Sequence, residues 1–95
     1  MTAYVYILAS HKKGTLCTGV TNDLVRRIHE HRAAAVDGFT NKYGIKQLVY
    51  FESFDDITTA ISREKKLKRW RRDWKLTLIE KDNSQWRDLY ETIIR

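Results

Sequence analysis

The first strong pattern in the chain is Tyr4-Val5-Tyr6-Ile7-Leu8-Ala9, which is apolar at every position. β-Branched and aromatic residues dominate it, and both alternating faces are apolar. That predicts a strand covered on both sides. His11-Lys12-Lys13-Gly14 predicts a turn, with Gly14 available for a positive φ. Leu16-Cys17-Thr18-Gly19-Val20 predicts a second strand, antiparallel to the first. The glycine inside it signals a bulge or a close backbone approach.

The period then changes. Thr21-Asn22-Asp23 opens a helix, with Asn22 suited to the N-cap and Asp23 to the positive end of the dipole. Leu24, Ile28 and Ala35 give it one apolar stripe, flanked by Val25 and Arg32. Gly38 predicts its end near Asp37-Gly38. A loop from Phe39 to Ile45 turns at Gly44, and Lys46 to Glu52 predicts a third strand. Asp55 or Asp56 caps a second helix reaching Trp70, and Asp73 caps a third, Trp74 to Glu80. Asn83-Ser84 starts a short final helix, Gln85 to Ile93. The order is ββα, then β, then helices: an α+β domain with a small three-stranded sheet.

Composition narrows the reading. The chain has 95 residues, room for one domain spanning 1–95. An apolar fraction of 42% and an aromatic fraction of 12% exclude a disordered tail. No apolar run approaches the ~18 residues of a membrane span, and no secretory signal is expected at the N-terminus. Cys17 is the only cysteine, which excludes an internal disulfide and a cysteine-based zinc cluster. A cytoplasmic location, cytosol or nucleoid, is expected.

The net charge is +6. Residues 63–75 hold eight bases (Arg63, Lys65, Lys66, Lys68, Arg69, Arg71, Arg72 and Lys75) and two acids, Glu64 and Asp73. This one segment therefore carries the entire excess. Such a concentration predicts a polyanionic partner and binding that weakens steeply with salt. Trp70 and Trp74 interrupt the segment. They share a helix face only if the helix continues through Asp73, and fit a core or seam better than base stacking.

Within this frame, individual residues suggest chemistry. On the second helix Ile57, Ala60, Ile61 and Leu67 form an apolar stripe, and Glu64 falls on it. A carboxylate facing the body of a domain is costly unless it is paired or bound to metal. It therefore reads as a metal ligand, as the partner of a buried arginine, or as a helix-edge glutamate that reaches solvent. Arg27 and His31, four apart, share a face of the first helix. The guanidinium fork suits phosphate oxygens and an imidazole moves protons, although a solvated helix face explains the spacing equally well. His29 and His31 point to different faces, so no histidine zinc site is predicted, and His11 is a solvated turn residue. Tyr4 and Tyr6 share a strand face, and a phenol becomes a useful base only beside a cation. Gly-rich phosphate loops, dinucleotide fingerprints and Ser-His-Asp patterns are absent.

The sequence Tyr4-Val5-Tyr6, a hairpin, Cys17-Thr18-Gly19, Asn22-Asp23-Leu24, Arg27 and a distal Glu64 resembles the GIY-YIG nuclease superfamily. Its small single-domain bacterial branch is the nearest likeness, through Gly19-Val20-Thr21-Asn22-Asp23-Leu24, Leu48-Val49-Tyr50, Arg63-Glu64-Lys65 and Trp86-Arg87-Asp88-Leu89. The resemblance covers nearly the whole chain. It implies a three-stranded antiparallel sheet flanked by helices and cleavage of phosphodiester bonds in DNA, or less readily RNA, with Mg²⁺ or Mn²⁺. It further implies Tyr6 as general base, Arg27 on the scissile phosphate, His31 beside it, Glu64 as the carboxylate metal ligand and Asn83 as a late nucleic-acid contact. Tyr4 stands in place of the first-triad glycine and Cys17 in place of the second-triad tyrosine. The second departure opens an alternative, a nucleic-acid-binding module with a weakened site. A chain this short carries no added specificity domain, so a homodimer or a partner protein is expected to supply selectivity.

Overall fold

Residues 2–33 and 44–94 are described in the structure, a computed structural model. Strand β1, Ala3–Ala9, is the centre of a three-stranded antiparallel sheet ordered β2-β1-β3, with β2 at Leu16–Thr21 and β3 at Gln47–Phe54. Every β1 residue except Tyr4 is buried, as the doubly apolar pattern requires of a central strand. Its partners in β2 run from Tyr4↔Thr21 through Tyr6↔Gly19 to Leu8↔Cys17. Against β3 the register slips between Ile7↔Tyr50 and Leu8↔Leu48, leaving Val49 as the extra residue.

Among the described residues there are four helices: α1 at Leu24–Arg32, between β2 and β3, and after β3 α2 at Ile57–Arg69, α3 at Arg72–Asp82 and α4 at Tyr90–Ile93. One sheet face buries Tyr6, Leu8 and Leu48 against Leu24 and Ile28 of α1, with Tyr90 and Ile93 of α4 beside them. The other face buries Ile7, Val49 and Tyr50 against Ile79 and Trp86, and Ala3 and Val5 against Ala60 and Leu67. No helix among the described residues is long and apolar enough to cross a membrane.

Several local expectations are corrected. In the β1–β2 turn it is Lys13 that takes positive φ, at 58°, and not Gly14. Gly14 is needed for space: a Cβ there would lie 2.3 Å from Ser10 Oγ. The N-cap of α1 is Asp23, not Asn22. The Asp23 carboxylate accepts from Arg26 N at 3.3 Å, and Thr21 Oγ1 accepts from Asp23 N at 3.1 Å. Helix α1 reaches its C-cap at Ala33, while the end predicted near Asp37-Gly38 lies outside the described residues, as does Ala35.

On α2 the cap is Asp56, accepting from Thr59 N at 2.7 Å. The buried stripe keeps Ala60, Glu64 and Leu67 of the predicted one and loses its two isoleucines. Ile57 and Ile61 are exposed, and the helix meets the sheet along Ala60, Arg63, Glu64 and Leu67. Helix α3 starts at Arg72, two residues before the expected Trp74, and Asp73 lies in its first turn rather than capping it. The chain bends at Trp70 and Arg71, both in extended geometry with no proline or glycine. The bend was expected to separate the tryptophans. Instead it stacks them edge to face, 5.9 Å between ring centroids.

The final helix is only Tyr90–Ile93, because residues 83–89 spend their polar groups on β3. Asn83 Nδ2 donates to Val49 O, Leu48 N donates to Asp88 Oδ1, and Leu89 N donates to Leu48 O at 2.7 Å. Trp86, at φ 56°, is fixed in this segment by burial and by a 2.7 Å bond from Nε1 to Glu80.

Candidate active site

Burial sets the rotation of α1. Leu24 and Ile28 go into the core, and the same face carries Arg27 and His31 toward β1. There the Tyr6 hydroxyl accepts from Arg27 Nε at 3.3 Å and lies 3.4 Å from His31 Nε2. Both contacts are at the long end of hydrogen bonding. The Tyr6 and His31 rings meet edge on, 6.2 Å apart at 62°. The tyrosine ring crosses β2 directly over Gly19, where a Cβ would stand 2.4 Å from Oη. The close backbone approach signalled by that glycine is thus made by a side chain.

Helix α2 brings the carboxylate from the opposite side. The Glu64 side chain is 12% exposed and its Oε2 pairs with Lys68 Nζ at 2.9 Å. Cys17, half-buried in β2, lies within the electrostatic reach of Glu64, Lys68 and Arg27. Tyr6 feels Arg27, Cys17 and Glu64 in the same way. The structure therefore gathers Tyr6, Cys17, Arg27, His31 and Glu64 from β1, β2, α1 and α2 into one neighbourhood.

Protonation follows from this setting. Burial pushes the Tyr6 phenol above its usual value. The hydrogen bond and charge of Arg27 oppose that shift without overturning it. On the chain's own groups Tyr6 is a neutral phenol at pH 7. Burial also raises the Cys17 thiol, despite Lys68 and Arg27, so it is no thiolate nucleophile. Burial and the Arg27 charge hold His31 below the usual imidazole value, so it is neutral and offers a lone pair. The bond to Tyr6 and its partial charge hold Arg27 firmly protonated.

The basic run does not form one track. Arg63 grips Glu52 with Nε and Nη2 at 2.9 and 3.0 Å and lies over the Trp70 ring. Arg72 Nη2 donates to the carbonyls of Lys13 and Gly14, tying α3 to the β1–β2 turn. Lys68 serves Glu64, and Arg71 pairs with Asp73 at 3.2 Å above the Trp74 ring. Lys65, Lys66 and Arg69 remain exposed on α2. Lys75 joins His11, Trp70 and Arg72 in a cleft of about 540 Å³, the largest of those described, at the turn rather than at Tyr6.

Asn83 is also removed from the site. It is 5% exposed, and its amide donates to Val49 O and Arg87 O and accepts from Arg87 N. It is a brace between the 83–87 segment and β3. What the sequence reading missed was the pairing of Glu64 with Lys68, although the i, i+4 spacing carries that signal.

Among the described residues no group of three or more His, Cys, Asp or Glu side chains could close around a metal ion. Glu64 alone suits a hard cation that keeps most of its waters and takes phosphate oxygens, provided Lys68 releases the carboxylate.

Comparison with known proteins identifies the family. The GIY-YIG catalytic domain matches residues 2–77, and the chain belongs to that family. Within it, the chain is similar to proteins of the group designated UPF0213. A UPF0213 protein of Haloquadratum walsbyi is 40% identical over 77 residues, 81% of this chain and 85% of that protein. One from Clostridium perfringens is 43% identical over 76 residues, 80% of this chain and 81% of that protein. The solution NMR structure of a UPF0213 protein from Bacillus halodurans has a TM-score of 0.57 at 31% identity, covering 93% of each chain.

Proposed function

We propose that this chain is a divalent-metal-dependent endonuclease that hydrolyses phosphodiester bonds in DNA. One observation carries the reading: the Tyr6 hydroxyl is held between Arg27 at 3.3 Å and His31 at 3.4 Å. A carboxylate is close enough to act on the same phenol. Membership of a nuclease family supports it.

The residues divide the work as follows. Arg27 uses Nε on Tyr6, and its Nη groups, of which Nη1 pairs with Glu30 at 3.9 Å in the resting site, take phosphate oxygens, which they neutralise and orient. Tyr6 is protonated in the resting site, so it acts as a base by relay. It takes a proton from the attacking water as it passes its own to His31 Nε2, and the proton comes to rest on the imidazole. Arg27 stabilises the partial negative charge on the phenol oxygen during the transfer. Mg²⁺ or Mn²⁺, held by Glu64, water and phosphate oxygens, would supply Lewis-acid assistance to the leaving oxygen. Lys68 neutralises Glu64 while the carboxylate has no other cation.

Nicking of branched, single-stranded and duplex DNA with Mg²⁺ or Mn²⁺ tests this, comparing wild type with Glu64→Ala and Tyr6→Phe. Cleavage by wild type and loss of it in both variants is expected. Equal cleavage by wild type and Glu64→Ala refutes the proposal. A second reading, a binding module without catalysis, is favoured by Cys17, which sits in the site but brings no phenol. It expects salt-sensitive binding that survives Glu64→Ala, and a large gain of cleavage in Cys17→Tyr.

A further inference from the structure

Two clefts open side by side at the start of α1, and their linings differ in chemistry. One, of about 320 Å³, carries Arg26, Arg27 and Glu30, and its Arg27 also bonds the Tyr6 hydroxyl. The other, also about 320 Å³, has no cation. Tyr4 and Phe51 line it from the sheet, Leu24 and Val25 from α1, and Ile93 from α4. Asn22 and Asp23 belong to both linings, so the two clefts share a wall.

Position along β1 ties the second cleft to the proposed chemistry. Tyr4 lies two residues before Tyr6 on the same sheet face, roughly 6.6 Å away along the strand. Phe51 is the β3 residue directly opposite Tyr6. Tyr4 and Phe51 are only partly buried, although they pack against the core. They are large aromatic surfaces left open to a ligand beside the proposed reaction site.

The charges decide which part of a nucleotide belongs where. The first cleft holds both cations, paired with Glu30 at 3.7 and 3.9 Å, and a phosphate that takes the place of Glu30 finds Arg26 and Arg27 there. A phosphate is repelled from the aromatic side, whose only charged wall residue is the Asp23 carboxylate. A nucleobase is uncharged, flat and able to stack on phenol and phenyl rings, and the cleft volume lies at the lower end of those that hold small ligands. A paired base inside a duplex has both faces stacked and its edge occupied, so it cannot enter.

We infer that the Tyr4–Phe51 cleft takes an unpaired base of the nucleic acid whose neighbouring phosphate lies on Arg27, and so selects single-stranded DNA. The inference rests on the nuclease reading only as far as nucleic-acid binding.

The test is equilibrium binding at low salt in EDTA, where no cleavage occurs. A short fluorescent oligothymidylate is compared with an abasic strand of the same phosphate count and with a blunt duplex. Wild type is expected to bind the oligothymidylate about tenfold more tightly than the abasic strand, the equivalent of one stacked base. It should also prefer that strand to the duplex. Tyr4→Leu, which keeps an apolar side chain, should bind both single strands equally while retaining the salt dependence. Phe51→Leu is the second variant, and thermal melting confirms that each is folded. Equal binding of the abasic strand and the oligothymidylate by wild type overturns the cleft and leaves the nuclease reading standing. An undiminished preference in both folded variants does the same. Failure of wild type to bind any of the three probes overturns both.

Discussion

Replacing Gly19 by alanine adds one methyl group where the Tyr6 ring crosses β2. That carbon would stand 2.4 Å from Oη, 2.5 Å from Cζ and 3.0 Å from Cε1, against an ordinary contact of 3.4–4 Å. Gly19 has no positive φ, so the obstacle is purely steric. The ring has little room to yield, because Tyr6 is 2% exposed and packed with Leu8, Leu24 and Ile28. Clearing the methyl moves the hydroxyl by about 1 Å, and a misplacement of that size costs on the order of 10²-fold in rate. The bonds to Arg27 and His31, already long, do not survive it. Overpacking adds about 1–3 kcal/mol of instability, each kcal/mol lowering Tm by about 4–8 °C in a domain of this size. The assay is nicking rate and thermal unfolding on the same preparations. Thr18→Ala serves as comparison, since Thr18 is buried on the other face of β2. The expected result is a rate loss in Gly19→Ala far exceeding that of Thr18→Ala at similar Tm. A Gly19→Ala protein with wild-type rate and wild-type Tm would refute the placement of Tyr6 over this glycine.

His31, whose folded pKa lies below the unfolded value, adds stability that is fully present above pH about 6.5 and is lost as the pH falls through the folded pKa. Urea unfolding across that window should show the slope in wild type and lose it in His31→Gln. The NMR titration of His31 should have its midpoint below 6.5, and a midpoint above that value would contradict the burial argument. Asn83→Ala strands Val49 O and the Arg87 backbone groups and should cost about 1–3 kcal/mol in urea unfolding. DNA affinity of the folded protein should be unchanged, and a selective loss of affinity would return Asn83 to the interface. Arg63→Lys gives up the two-pronged grip on Glu52 and the Trp70 contact, and should cost about 1–2 kcal/mol in urea unfolding. An unaltered unfolding midpoint would show that a lysine suffices there.

How much of this was legible depended on how local each cause was. The central strand could be read because a run apolar on both faces has no stable place except under cover on both sides. The rotation of α1 was legible at Leu24 and Ile28, and with it the common face of Arg27 and His31. Helix α2 was read half correctly. Ile57 and Ile61 look like core residues until Arg63 finds Glu52 and Glu64 finds Lys68, which lets two charged positions take the inward line. The bend at Trp70–Arg71 has no proline or glycine to announce it. Its fixings are local arginines whose partners lie elsewhere in the chain: Arg72 reaches the β1–β2 turn, and Arg63, anchored on Glu52 of β3, lies over Trp70. Residues 83–89 failed as a helix for the same reason, since Asn83 and Asp88 trade helical bonds for bonds to β3. At Tyr6 the sequence shows the neighbouring cation Arg27 and hides the depth of burial that raises the phenol.

The assembly of Tyr6, Cys17, Arg27, His31 and Glu64 from β1, β2, α1 and α2 also has a consequence in time. A ribosome releases the hairpin and α1 first, so the growing chain holds its phenol, guanidinium and imidazole long before Glu64 exists. Even then β1 lacks β3, its other neighbour, and one sheet face stands bare until α2 and α3 dock. No nascent chain, and no fragment cut between α1 and α2, can set the carboxylate against the phenol. The neighbourhood of these five side chains therefore comes into being only with the completion of folding.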